Sequence, residues 1–340
     1  MKPTPSAPLK HWRPSCSKSS PYRQTTSSPG AKSPTRRSNY MRDWRTLLIA
    51  LILTLSLAVG CQAQPSSPPR PKTFDGERAL AYANQQCAFG PRPTGSPAIE
   101  KMRAWLHETL EAQGWSVREQ RGTFRGVEIV NLVATQGTGR PVLIGAHYDT
   151  RPRADNDPTN PEGWILGGND GASGVAVLLE LATVLDIPDN LQVQLAFFDA
   201  EDRGDIDGWP FSVGAEQFAA NPPTPQPEAV IILDMIGDRD LQIYRERNSD
   251  PTLTDTLFNI ADELGYLDNG FYNEPRWTII DDHLPFIQRG IPAVDLIDFD
   301  YPAWHTMDDT CEQLSAESLH KVGRVVETWV ERGAPYTLEQ

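Results

Sequence analysis

Cysteine is scarce in this sequence. Four occur in 340 residues, at positions 16, 61, 87 and 311, and none belongs to a Cys-x-x-Cys pair. That spacing excludes a cysteine-based zinc ribbon and a thioredoxin-like redox site, and leaves any metal to histidines and carboxylates. Basic residues are sparse beyond position 72. Residues 1–72 hold twelve Lys/Arg and one acid, Asp43, so the remainder carries 19 basic against 44 acidic side chains, a net charge near −25. Such a body repels phosphate backbones, whose affinity for proteins comes from counterion release by Lys and Arg, and a nucleic-acid partner is excluded. Long apolar runs are few as well: the run 47–60 has fourteen residues, where a membrane span needs about 20, so a cleaved signal segment fits its length better than an anchor.

What is present is 39% apolar content over 340 residues, enough for a sizeable core in one large domain or two ordinary ones. Residues 1–40 are rich in Ser, Pro, Lys and Arg with almost no aliphatic side chains, a composition that predicts disorder; with Met41 as the true start they would be a misassigned leader. From Met41 the pattern is that of a secretory signal: a basic leader through Arg45, the apolar run, and small residues closing on Cys61. Ala58-Val59-Gly60 before Cys61 resembles the end of a bacterial lipoprotein signal, in which that cysteine is lipidated; an ordinary secretory peptide with an incidental cysteine is the alternative. Residues 62–72 (QAQPSSPPRPK) read as a Pro/Ser tether. The chain is therefore expected to be exported, either anchored by lipid or free in a periplasmic or extracellular space.

Residues 73–335 read as one α/β domain. Ile99, Met102, Leu106 and Leu110 fall at helical spacing, and 115–124 and 127–134 read as a hairpin around Arg125-Gly126. Apolar runs at 142–146, 193–198, 230–236 and 293–297 alternate with helical stretches at 171–186, 212–220, 253–265 and 283–289. A last helix, 315–330, buries Leu319, Val322, Val326 and Trp329. The alternation predicts a mixed, mostly parallel central sheet with helices on both faces, the hairpin supplying the antiparallel part.

Ligands of such sheets lie beyond the carboxyl ends of the strands. There the sequence places His147, Asp170, Asp202, Asp234 and His305, each after a separate element. Two imidazoles and three carboxylates suit zinc. Asp170 could bridge two ions, completing one set with His147 and Asp234 and another with Asp202 and His305. Glu201 is left free beside a ligand, as a general acid/base should be. Singly each has a plainer reading: Asp170 as a helix N-cap, His147 with Asp149 as a strand-end pair, Asp234 as a turn residue, Glu201-Asp202 as a solvated loop. Together, so many anions gathered without a cation would cost several kcal/mol through repulsion and desolvation.

Taken in order, FGPRPTGS (89–96), AHYDT (146–150), GGNDGASG (167–174), FFDAED (197–202), LDMIGD (233–238), DDHLPF (281–286) and WHTMDD (304–309) resemble the glutaminyl-peptide cyclotransferases of animal type, and the zinc-dependent aminopeptidases that share their phosphorylase/hydrolase-like fold. The resemblance covers about residues 75–335. Asp281-Asp282-His283, where aminopeptidases begin with Ser, and Trp304 before His305 lean toward the cyclases. By position the cyclase pattern implies one zinc on Asp170, Asp202 and His305, with Glu201 as proton shuttle. It places Asp234 and Asp281 in an acidic network around Glu201, and Trp209 and Trp304 as pocket walls for an N-terminal glutamine. A peptidase would keep two zincs. Either way the partner is a peptide or protein N-terminus, and the expected state is a monomer.

The sequence departs from that pattern at Asp202, where animal cyclases have Glu, and at Asp295, where they have a pocket histidine. The segment around Tyr301 is spaced differently, so Tyr301 is assigned no substrate contact. Trp209 follows a longer loop, under which it could instead simply pack. Cys87 and Cys311, the two cysteines inside the domain, are expected either to form a disulfide in an oxidising compartment or to remain two buried thiols. Three functions compete: a cyclase, an aminopeptidase with the same ligands, and a non-catalytic binding protein, the last disfavoured by the intact ligand set with Glu201.

Overall fold

A computed structural model describes residues 73–336. The readings of residues 1–72, Cys61 included, lie outside them. Among the described residues no helix is long and apolar enough to cross a membrane.

The domain opens with a helix that the sequence reading did not find, α1 (Gly76–Cys87), capped by Asp75, whose side chain accepts from the Glu77 and Arg78 N–H groups. Its buried stripe is Gly76, Ala79, Ala83 and Gln86, too small and too polar to register as an apolar periodicity. Smallness serves packing here: a Cβ at Gly76 would lie 1.9 Å from the Ala316 carbonyl oxygen. The helix α2 (Pro97–Ala112) starts with Ser96 accepting from the Ile99 N–H and proline in the first turn, and buries Ile99, Met102, Leu106 and Leu110, the residues whose helical spacing the sequence shows.

Strands β1 (Ser116–Phe124) and β2 (Val127–Gly137) form the expected antiparallel hairpin. Its two turn residues, Arg125 and Gly126, both have positive φ, as a two-residue turn matched to strand twist requires. Four parallel strands follow: β3 (Arg140–His147), β4 (Leu191–Phe198), β5 (Val230–Asp234) and, after a separate short parallel pair β6 (Ile243–Arg245) and β7 (Phe271–Pro275), β8 (Ala293–Ile297). The six-stranded sheet has the order β1-β2-β4-β3-β5-β8, with β2 antiparallel to β4. One face, through Leu132, Ile144, Leu195 and Ile231, joins a large core that includes α2, α3 (Ala172–Val184) and α7 (Ala316–Glu331). The helix α5 (Pro251–Glu263) contributes Leu253 and Leu257 to the same core. The other face, through Val133, Leu143, Ala196 and Ile232, meets α4 (Val213–Ala220) and the one-turn helix α6 (Leu284–Ile287) in a smaller core with Phe218 and Phe286. The mixed sheet covered on both faces is thus the architecture the alternation of runs predicts.

Most boundaries shift by one to three residues from the sequence ranges, and two shifts stand out. β5 ends at Asp234 rather than running to 236, because Met235 turns into the left-handed region at φ 48°. The stretch 283–289 is helical only over Leu284–Ile287. Helix α3 buries Glu180, whose carboxylate accepts from the Asp75 N–H at 3.1 Å and from Arg78 Nε at 3.0 Å, so the acid costs little in an otherwise apolar helix.

Cys87 and Cys311 are joined as a disulfide across 224 residues, tying the end of α1 to the 3₁₀ turn Cys311–Gln313. Closing so long a loop restricts the unfolded chain by about 2–4 kcal/mol. Replacing both cysteines by Ala is therefore expected to lower the melting temperature by about 10 °C in a domain of this size. A fall of less than about 2 °C in thermal unfolding would mean that the crosslink adds nothing to the packing around it.

Candidate metal centre

Each candidate donor sits where a parallel strand or its following loop ends. His147 closes β3, Asp234 closes β5, Asp202 lies in the turn after β4, Asp170 just precedes α3, and His305 lies in the loop after β8. The backbone is bent to present them: Ala200, Met235 and His305 have φ of 59°, 48° and 59°, a conformation that costs a non-glycine residue roughly 1 kcal/mol or more. Glycine relieves the tightest approach. Gly171, at φ 108°, has the Asp149 carbonyl oxygen 2.7 Å from where a Cβ would stand, and this closeness lets Asp170 reach the end of β3.

The five donors converge as two groups that share Asp170. His147 Nε2 lies 3.1 Å from both Asp170 Oδ1 and Asp234 Oδ1. His305 Nε2 lies 3.2 Å from Asp202 Oδ1 and 3.7 Å from Asp170 Oδ2. Within each group one donor atom per residue lies within 4.8 Å of the others, and all five residues are buried. The donors fit a divalent cation in chemistry as well as spacing: imidazole and carboxylate are hard-to-borderline ligands, and Asp202 Oδ2 is buried without a hydrogen-bond partner, an orphan that a cation would satisfy. Asp170, with one oxygen toward each group, has the arrangement of a bridge.

A ring of residues fixes these donors. Asp149 Oδ1 lies 3.6 Å from His147 Nδ1, the carboxylate–imidazole contact that turns Nε2 toward the centre. The same carboxylate accepts the backbone N–H groups of Glu201 (3.1 Å) and Asp202 (3.3 Å). Arg151 donates to the Asp202 carbonyl and side chain at 3.2 and 3.3 Å. Asp309 accepts from the Asn169 and Asp170 N–H groups and from the Tyr301 hydroxyl at 2.9 Å. Arg92 donates to the Leu166 and Gly167 carbonyls, and Thr94 donates to Asp199 at 2.9 Å. Of these roles only the pairing of Asp149 with His147 was read from sequence, although each residue but Tyr301 stands in or beside a quoted motif, FGPRPTGS, AHYDT or WHTMDD. Tyr301, left without a substrate contact there, is a strut under the Asp170 loop.

A cavity of about 240 Å³ opens over the donors. Asp170, Glu201, Asp202, Asp234, Asp281 and His305 form its acidic floor; Phe211, Trp277, Ile279, Ile280, Ile297, Phe299 and Trp304 its apolar wall. Trp304 stacks on the His305 ring, centroids 3.9 Å apart, and leans on Phe299. Trp209, the other expected wall, is not there. Its indole packs edge-on against Phe124 at 4.8 Å with Arg203 above it at 4.2 Å, under the long loop, as the plainer reading had it. The places expected of it are taken by Trp277 and Phe299, which no motif contains. Asp295 lies behind the floor rather than in the wall, its carboxylate 3.7 Å from His283 Nδ1; His283 Nε2 faces Glu246 at 3.3 Å.

The electrostatics follow from burial and crowding. Burial, with the Asp281, Asp282 and Asp202 charges, holds the Glu201 carboxyl well above the usual carboxylate range against the pull of His147. Burial likewise lifts Asp234 to about 7. Asp170 goes the other way: despite burial, the hydrogen bond from His147 and the two imidazoles keep it below its ordinary value.

Residues 129–330 match peptidase family M28. The chain is 28% identical over 276 residues to a glutaminyl-peptide cyclotransferase-like protein of Mus musculus, covering 69% of this chain and 70% of that protein. Among solved structures it is similar to the glutaminyl cyclase of Porphyromonas gingivalis (31% identity, TM-score 0.71, 77% of this chain and 100% of that one). It is equally similar to a leucine aminopeptidase precursor from Bacteroides thetaiotaomicron (30% identity, TM-score 0.72, 78% and 99%).

Proposed function

The chain belongs to peptidase family M28, and from that premise we propose that it is a zinc-dependent glutaminyl-peptide cyclotransferase, converting the N-terminal Gln of peptides to pyroglutamate with release of ammonia. The observation that carries this reading is the cavity itself: an unligated, protonation-poised Glu201 in an acidic floor, under a wall of aromatic and aliphatic side chains sized for one residue. Relatives and neighbours named as glutaminyl cyclases support it.

Asp170, Asp202 and His305 would hold the zinc, with His147 and Asp234 completing a second position around Asp170. Bound there, zinc would polarise the γ-carbonyl of the glutamine. The rest falls to the chain. Trp304 and the aliphatic wall hold the side chain and exclude water. Glu201 takes a proton from the substrate's α-amine as the nitrogen bonds to the side-chain carbonyl carbon (Cδ), and returns it to the amide nitrogen as the Cδ–N bond to that group breaks, so ammonia leaves neutral. Asp234 and Asp281 line the same cavity as Glu201, and burial with the Asp281, Asp282 and Asp202 charges keeps its affinity for a proton high.

One observation favours a second reading. His147 and Asp234 are as well placed as the other set, which suits a two-metal aminopeptidase, and the leucine aminopeptidase precursor is as similar as the cyclase. A binding-only role is least favoured, since Glu201 has no work in it. Side-by-side turnover of Gln-peptides and Leu-peptides, with zinc counted on the same sample, is expected to give ammonia from the former and no free leucine. Leucine release with two zincs per chain would transfer the assignment to the peptidase.

We further infer that residues 41–61 export the chain, that Cys61 carries its lipid anchor, that 62–72 tether one catalytic domain (73–335), and that the enzyme works as a monomer. The Cys87–Cys311 disulfide supports an oxidising compartment.

A further inference from the structure

A second cavity, of about 220 Å³, adjoins the first and shares Phe211, Ile280 and Asp281 with it. Its remaining wall is mostly apolar, with Phe124, Val213, Leu284 and Pro285, and Glu216 and Gln288 stand among its polar lining. Nothing in the reaction above uses it. Ile280, two-thirds exposed, is one of the few large apolar side chains left in solvent among the described residues, and it stands on the boundary between the two cavities.

We propose that this cavity is the subsite for the side chain of the second residue of the peptide substrate, and that it selects apolar and aromatic residues there. The inference rests on the proposed reaction. With the N-terminal residue in the first cavity, the next Cα is only about 3.8 Å further along the chain. A cavity that shares three lining residues with the first is within that reach. Its chemistry sets the preference. The apolar wall gains from covering a Leu or Phe side chain. An acidic side chain would meet Asp281 and Glu216 without a free cation to pair with, because Arg289, the nearby base, is already held by Glu216 at 2.6 and 3.0 Å. Phe211 ties the two cavities together structurally: its ring covers Gly204, where a Cβ would fall 2.1 Å from it, and lies 5.8 Å from the Arg151 guanidinium that steadies Asp202.

The test is a series of Gln-X peptides with X as Gly, Leu, Phe and Glu, turned over by the zinc-loaded protein and by two variants. Gln288→Trp, at an exposed position, caps the cavity without entering the core; Leu284→Glu places a charge in it. For the unaltered protein kcat/KM is expected to be about tenfold higher for Leu and Phe than for Gly, the scale on which a hydrophobic pocket discriminates, and lowest for Glu, with the difference carried by KM. In either variant the Leu/Gly ratio is expected to fall below about two while Gln-Gly turnover stays within about twofold. Equal kcat/KM across the series, or a ratio that survives both variants, overturns the subsite and leaves the reaction standing. No ammonia from any Gln-peptide overturns the reaction and the subsite with it.

Discussion

Glu201→Gln is expected to lower kcat for Gln-peptides about 10³-fold, within the 10²–10⁴ that a positioned general acid/base contributes, while KM changes by only a few-fold and zinc content is unchanged. Glutamine preserves the volume of the side chain and its place in the floor, but it cannot accept the proton that the attacking amine must shed. The fold has no stake in the carboxylate itself. Glu201 is held by its backbone N–H, which donates to Asp149, and that bond survives the substitution. Nor does the metal, since Glu201 is outside both donor groups. The substitution also removes one of the acids whose mutual repulsion raises the site, so the variant should fold at least as well in metal-free buffer. Steady-state ammonia release, with zinc measured on the same sample, decides it: turnover within tenfold of the unaltered enzyme would remove Glu201 as the proton carrier and leave Asp281 or the substrate itself to do that work.

The order of the elements was legible because each core strand is a run of five to eight mostly aliphatic residues whose burial is nearly complete, and such a run has few other places to go in a water-soluble fold. The donors were legible for a related reason. Parallel strands bring their carboxyl ends to one edge, so His147, Asp234 and the residues after Phe198 become neighbours by topology. Helix α1 was not, since Ala79, Ala83 and Gly76 carry no hydrophobic signal of their own and owe their burial to α3 and α7. The pocket wall was not either. Trp277 and Phe299 lie in loops after β7 and β8, and where a loop aromatic points is settled by its neighbours: Trp277 meets Phe299 edge-on at 5.6 Å, whereas Trp209 found Phe124 and Arg203 first. The short pair β6 and β7 gave no alternation long enough to read. Asp295 shows the limit of a positional analogy. It occupies the strand position of a pocket histidine, yet its carboxylate is turned to His283, behind the floor.

Removing the metal is expected to cost the protein about 10 °C of melting temperature at pH 8 and distinctly less at pH 5. In the metal-free protein burial and neighbouring anions raise Asp234 and Asp309 to about 7, and Asp202 and Glu201 also lie above their ordinary values. An acid whose folded pKa is raised binds its proton more tightly folded than unfolded, so stability is greatest below the unfolded value near 4 and declines as pH climbs toward 7. His147, raised by Asp149, Asp170 and Asp234 against the cost of its burial, works in the same direction, losing its contribution as pH rises through its folded pKa. Asp170, lowered, opposes the trend only below pH 4, where the unfolded acid begins to protonate. A divalent cation takes the place of those protons and binds the deprotonated donors, so its stabilisation grows over the same interval. At a free concentration of about 1,000 times Kd the linkage is worth roughly 4 kcal/mol, which for a domain of this size is about 10 °C. Asp234→Asn, fixed in the equivalent of the protonated form, should flatten part of the metal-free decline between pH 5 and pH 8. Thermal melts of chelated and zinc-loaded protein across that range are the measurement. A zinc shift that is the same at both ends, or larger at pH 5, would mean that these carboxylates are not the groups the cation binds.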